Sequence, residues 1–289
     1  MEKTESMHRS DIIDICKRVH ANGWVAANDG NVSIKISPNT VICTPTGMSK
    51  GYLTTDQLIK VDMDGNKIDG DLKPSSEVKM HLDVYKSKEN IGAVVHAHPP
   101  FATGFAVAGI ALDECVMPEI IISLGSIPLT RFGTPSTSEL PDNIRPYLKE
   151  HDVFLLENHG ALSIGKDVYQ AYYRMESLEL FAKINLVARM LGNVNVIGEE
   201  NVRKMIGLRE KFGLENTNYP GCRIDGKFIK NGDAAPSSLG TASSSLGAVS
   251  ISEPISGDSI VITKDKLIKL VTIIVSNILA DNDLSVSHK

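Results

Sequence analysis

The chain has 289 residues, 42% of them hydrophobic, with a formal net charge of −5 at pH 7. That length and apolar content suffice for one large domain with a full core and an appendage. The mild acidity without any sustained basic cluster excludes a nucleic-acid-binding surface, and no apolar stretch is long and clean enough to span a bilayer.

In chain order, Met1 to Ser10 is polar and lacks the apolar run of a signal peptide. Ser10 reads as the N-cap of a first helix, with Ile12, Cys16 and Val19 at helical spacing and Gly23 as its end. The turn cluster Asn28-Asp29-Gly30-Asn31 leads into Val32 to Ile36, which alternates as a half-buried strand does. Val41-Ile42-Cys43 is a second short strand, ending in Thr44-Pro45-Thr46-Gly47. Ser75 or Ser76 caps the next helix, whose Val78, Leu82 and Tyr85 form one apolar stripe. Ile91 to Ala97 and Val153 to Leu156 read as buried strands, and a long helix from about Asp167 carries Ala171, Met175, Leu178 and Ala182 on one face. Interleaved strands and helices of this kind predict an α/β or α+β layer fold, with helices covering a central sheet.

The composition changes after Lys230. Residues 232–259 are rich in Ser, Gly, Ala and Pro, contain no Lys, Arg or aromatic residue, and read as a flexible linker after a folded domain at 1–231. In residues 260–289, Leu267, Leu270, Val271, Ile274 and Ile278 make the stripe of an amphipathic helix. Cys16, Cys43, Cys115 and Cys222 are scattered with no C-x-x-C pair, which points to reduced thiols serving as inert packing in a cytoplasmic protein.

The chemistry concentrates in short polar motifs. In an extended strand His96 and His98 project from the same face, two residues apart. With His159 and a carboxylate from Glu77 they make an N₃O set suited to a borderline divalent ion such as zinc, with one position open for substrate. Gly30-Asn31, Thr46-Gly47 and Ser75-Ser76 offer hydroxyls, an amide and unhindered backbone N–H groups, which suit a phosphate without any lysine. Glu77, beside a metal, is placed to abstract a proton next to a carbonyl.

Gly30-Asn31-Val32-Ser33, Thr44-Pro45-Thr46-Gly47, Pro74-Ser75-Ser76-Glu77, Val94-Val95-His96-Ala97-His98 and Asn158-His159-Gly160, in this order between about Ile12 and Gly213, resemble the class II aldolase/adducin family. The resemblance implies a three-layer α/β/α fold, a homotetramer with active sites at subunit interfaces, and one zinc ion per subunit. It implies His96, His98, His159 and Glu77 as zinc ligands, with Glu77 also the catalytic acid/base. Gly30, Asn31, Thr46, Gly47, Ser75 and Ser76 match positions that hold the substrate phosphate. The implied reaction is cleavage of a phosphorylated sugar, L-fuculose 1-phosphate or a similar ketose 1-phosphate, to dihydroxyacetone phosphate and lactaldehyde. The same fold and metal also serve pentulose-5-phosphate 4-epimerases and methylthioribulose-phosphate dehydratases, and adducin-like members use it as a non-catalytic interaction head. Aldolases of this family offer a tyrosine on the aldehyde side, but the matching stretch Met117 to Ile121 contains none; Glu119 and Tyr219 are the alternatives. The tail, linker plus amphipathic helix, resembles the encapsulation peptides that carry enzymes to bacterial microcompartment shell proteins.

Overall fold

The computed structural model describes residues 3–214 and 219–230. All of these belong to the first of the two units into which the chain divides, 1–235 and 236–289. The linker and the amphipathic tail helix lie outside the described residues.

The elements are α1 (Glu5–Ala21), β1 (Asn31–Ser37), β2 (Thr40–Cys43), β3 (Ile59–Val61), β4 (Lys67–Asp69), α2 (Val78–Ser87), β5 (Ala93–Ala97) and α3 (Pro100–Val107). They continue as α4 (Pro118–Ser123), β6 (Leu129–Thr130), α5 (Glu139–Ile144), β7 (Val153–Leu156), β8 (Gly160–Gly165), α6 (Val168–Met190), α7 (Glu199–Gly207), β9 (Cys222–Ile224) and β10 (Lys227–Ile229). Strands β1 to β8 form one sheet in the order β4-β3-β2-β1-β5-β8-β7-β6, and β9 and β10 form a separate hairpin. Every pair in the large sheet is antiparallel except β6 with β7.

The period-two alternation of the strands divides their side chains between two cores. Val32, Ile34, Val95, Ala97, Leu155 and Ala161 pack under α1, α3 and α6. Val41, Val94, Phe154, Leu156, Leu162 and Ile164 face α2 and α5 on the other side. The sheet is therefore the middle of three layers, as the resemblance implies, and β5 lies at its centre with every residue buried. No helix among the described residues is long and apolar enough to cross a membrane.

Helix α1 begins earlier than Ser10. Thr4 caps it, its hydroxyl accepting from Met7 N–H, while Ser10 sits inside the helix and donates back to the Ser6 carbonyl. Its end is as expected, with Gly23 at φ +68° just past the cap. Asp167 caps α6 by accepting from Gln170 N–H. From α6, the buried Glu179 carboxylate accepts from Phe101 and Ala102 N–H at 3.0 and 2.8 Å, which pins the start of α3 directly behind His98. Strands β3, β4, β6, β8, β9 and β10 escaped the sequence reading. β8 in particular lies only three residues beyond β7.

The cysteine expectation is corrected in part. Cys115 and Cys222 are joined by a disulfide, whereas Cys16 and Cys43 are free and buried. The pair is 107 residues apart, so spacing carried no sign of it. What aligns the two is backbone pairing: Cys115 N–H donates to Arg223 O, Arg223 N–H to Asp113 O, and the Arg223 guanidinium clamps the Asp113 carboxylate. The bond ties the β9–β10 hairpin to α4 and α7 through a cluster of Ile121, Val202, Ile206, Tyr219 and Ile229. Closing so long a loop constrains the unfolded chain. Urea unfolding with and without reductant therefore should show the reduced protein, or Cys222→Ser, less stable by about 2–5 kcal/mol. Coincident curves would contradict a structural role for the bond.

Candidate metal centre and active site

Four segments bring the site together at one end of the central strands. Antiparallel pairing of β1 with β5 sets Asn31 opposite His96, and pairing of β5 with β8 sets Ala97 opposite Ala161. His98 follows directly after β5, its backbone N–H held by the Trp24 carbonyl at 2.8 Å. His159 lies in the tight turn between β7 and β8, where Asn158 takes φ +53° and His159 N–H closes on Leu156 O. The next residue must be glycine, since a Cβ on Gly160 would stand 2.4 Å from His98 Cδ2 and 2.8 Å from Ala97 O. Glu77 sits at the N-cap of α2, where Ser75 Oγ accepts from its N–H. The serine expected to cap this helix thus holds Glu77 instead.

The resulting geometry is close. His96 Nε2 lies 3.3 Å from His98 Nε2 and 3.4 Å from Glu77 Oε2, and His159 Nε2 lies 3.3 Å from Glu77 Oε1. The ligand atoms of the three histidines all lie within 4.8 Å of one another. His96 Nδ1–H donates to the Ala161 carbonyl at 2.9 Å, which leaves the Nε2 lone pair facing the cluster. Burial pushes His96 down to about 3, so its ring stays neutral and available as a ligand. Burial pushes the Glu77 carboxyl up, but its polar surroundings, the donating Asn31 amide among them, hold it below the usual carboxylate range.

These residues fit a tetrahedral divalent ion. Ligand atoms bonded to zinc at about 2.0–2.1 Å stand about 3.3 Å apart along a tetrahedral edge. Glu77 Oε1, Asn31 Oδ1 and His159 Nδ1 are buried without a hydrogen-bond partner among the described residues. Buried polar atoms left unpaired cost about 1–3 kcal/mol each, so their concentration here marks a place built for something else to bind.

The polar turns are joined as well. Thr46 N–H donates to Lys73 O and Ser75 N–H to Thr44 O, which ties Thr44-Pro45-Thr46-Gly47 to Pro74-Ser75-Ser76. Thr46, Gly47 and Ser76 are exposed and Ser75 is half-buried. A Cβ at Gly47 would meet nothing within 4 Å, whereas one at Gly30 would strike Val25 and the His96 carbonyl. Gly30 is thus required by packing, and Gly47 faces open space. Asn31 is buried and gives its amide to Glu77 Oε2 at 2.8 Å, so it orients the carboxylate.

Sequence reasoning missed several supports. Below Glu77, His81 Nδ1 lies 2.7 Å from Ser33 Oγ, which also meets Tyr85 OH at 2.8 Å. Burial holds His81 near 4, a neutral ring in a polar network, and its position one helical turn after Glu77 was the available signal. Lys50, buried behind the turns, was also missed. Tyr219 is committed elsewhere: it is buried in the disulfide cluster, donates to the Ile121 carbonyl and lies under the Arg209 guanidinium. Glu119 is exposed on the first turn of α4.

Comparison with known proteins agrees with this arrangement. The class II aldolase and adducin N-terminal domain matches residues 10–186. An L-fuculose phosphate aldolase of Methanococcus maripaludis is 36% identical over 189 residues, which are 64% of this chain and 99% of that protein. A 3-oxo-tetronate 4-phosphate decarboxylase of Pectobacterium atrosepticum is 28% identical over 204 residues, 69% of this chain and 89% of that one. Among solved structures, an L-fuculose 1-phosphate aldolase superposes with a TM-score of 0.66 at 26% identity, covering 73% of this chain and 99% of its own. Sequence motifs, three-layer fold and relatives concur: the chain belongs to the class II aldolase and adducin family.

Proposed function

We propose that this protein is a zinc-dependent aldolase that cleaves a ketose 1-phosphate, L-fuculose 1-phosphate or a close analogue, to dihydroxyacetone phosphate and lactaldehyde. The observation that carries this reading is the approach of the His96, His98 and His159 nitrogens to one another and to the Glu77 carboxylate. In this reading the three histidines hold the ion with Glu77 as fourth ligand. When bound, the ion supplies Lewis-acid stabilisation of negative charge on the substrate's ketone and neighbouring hydroxyl oxygens. Glu77 moves the proton at the carbon beside the ketone: it delivers that proton after cleavage and removes it in the condensation direction. Asn31 keeps the carboxylate turned toward the site through its 2.8 Å hydrogen bond. The Thr46 and Ser75-Ser76 hydroxyls, with the N–H groups around Gly30 and Gly47, receive the phosphate.

One finding favours a second reaction, decarboxylation of a 3-oxo-tetronate 4-phosphate. Retro-aldol cleavage needs a group to manage the proton on the aldehyde-side hydroxyl, and Met117 to Ile121 offers no tyrosine. Loss of carbon dioxide from a β-keto acid leaves the same enediolate of dihydroxyacetone phosphate without that proton to handle. A relative of this chain carries that activity in its name.

The proposal extends to assembly. Tyr173, Leu180, Ile184, Val187 and Leu191 form an exposed apolar stripe along α6 and its end, which supports packing of copies into a homotetramer. Residues 260–289 serve in this proposal as a tag for microcompartment shell proteins, on the strength of their sequence alone.

Zinc-loaded protein given L-fuculose 1-phosphate should release dihydroxyacetone phosphate. His96→Ala should abolish this release, and Glu77→Gln should lower kcat by at least about 100-fold. Carbon dioxide from 3-oxo-tetronate 4-phosphate, with no turnover of the fuculose substrate, would move the assignment to the decarboxylase; triose phosphate from neither would contradict both readings. Deleting residues 263–289 should leave turnover intact and abolish co-purification with shell proteins. Unchanged co-purification would refute the tag.

A further inference from the structure

Lys50 is the most deeply buried cation among the described residues, only 1% exposed, and ranks among the largest fully buried side chains. A lysine in that position is rare unless it is paired, because removing an ammonium from water is costly. Yet Lys50 forms no ion pair among the described residues. Its Nζ donates to two backbone carbonyls, Asn28 O at 2.8 Å and Met48 O at 2.9 Å. The carboxylates of Asp29 and Glu77 act on it only through space. The two carbonyls belong to the two turns that carry Gly30-Asn31 and Thr46-Gly47.

The peptide groups around Lys50 show what such an arrangement achieves. In a trans peptide the C=O and N–H point in opposite directions. Drawing the Met48 carbonyl inward onto the ammonium therefore turns the Ser49 N–H away from it. The N–H groups of Gly47, Met48 and Ser49 donate to no acceptor among the described residues, and Gly47 holds φ +71° in open space. Consecutive free N–H groups around a left-handed residue form a concavity that suits an anion. Lys50 lies on the protein side of this loop, where its charge is screened little by water.

Resting on the phosphosugar reading above, we propose that Lys50 is a positioning residue for the substrate phosphate. It supplies the buried counter-charge to a dianionic phosphomonoester that the loop N–H groups contact directly, and it turns the Ser49 N–H outward. The enzyme's preference for phosphorylated over unphosphorylated sugars then depends on a side chain that never touches the ligand.

The test uses zinc-loaded enzyme and inorganic phosphate as the probe, by calorimetry and as a competitive inhibitor, alongside KM and kcat for the ketose 1-phosphate. Lys50→Arg keeps the charge, Lys50→Gln keeps a donor for the carbonyls without charge, and Lys50→Met keeps neither. Lys50→Gln and Lys50→Met should weaken phosphate binding and raise KM by about tenfold or more, with a smaller change in kcat, while Lys50→Arg stays nearer the wild type. A merely structural lysine would lower the thermal midpoint in the variants and leave phosphate affinity unmoved. If Lys50→Met fails to fold, the Gln and Arg variants still decide, because they differ in charge. Phosphate affinity in Lys50→Gln equal to that of the wild type overturns the role of Lys50 and leaves the phosphosugar reading standing. A wild type that neither binds phosphate nor turns over a phosphosugar overturns both.

Discussion

A half-buried carboxylate packed against the neutral ring of His96 is not a stable arrangement by itself. Glu77 is held in its charged form with the Asn31 amide donating to it, yet burial keeps His96 from carrying the positive charge that would balance it. Desolvating an unpaired ion costs several kcal/mol, and protonating His96 to pair with Glu77 would incur a similar penalty. A divalent cation between the four side chains resolves the conflict: it neutralises the carboxylate, uses the imidazole lone pairs and needs no buried imidazolium. The other local features follow from holding these groups at that distance.

The sheet provides the rigidity. His96 and Asn31 face each other across a β1–β5 pair with little freedom, and the β7–β8 turn delivers His159 from the neighbouring strands. Gly160 lets the His98 ring lie close to the turn, and Glu179 fixes the helix that starts immediately after it. Polar side chains and backbone bonds then tie the polar turns to this frame, from the exposed Thr46 and half-buried Ser75 to Lys50 beneath. The strand ends thus set the cluster of nitrogens, while the turns that rim it remain open enough to admit a ligand.

Much of this was legible in the residues. The His-x-His at the end of an apolar strand, the acid following Ser75-Ser76 and the Asn-His-Gly turn are local patterns, and the structure brings them to one place. The three layers were legible because β1, β2, β5 and β7 carry clear apolar signals. What escaped was non-local or masked by its neighbours. Strands β3 and β4 are only three residues long, and Cys115 meets Cys222 across more than a hundred residues. Ser10 resembles a helix cap because a hydroxyl before an apolar repeat looks the same whether it bonds forward or, as here, backward to Ser6. Lys50 is invisible to sequence reading for a different reason: lysine is presumed solvated, and only the fold shows that this one is not.

Whether the four side chains hold a metal is decided by the metal content of the purified, dialysed protein and of His159→Ala, with circular dichroism to verify folding. A metal role for this cluster requires about one divalent ion per chain in the wild type and a loss of most of it in the variant, with the fold retained. A folded wild type that takes up no divalent ion at neutral pH, even after exposure to zinc, would contradict it.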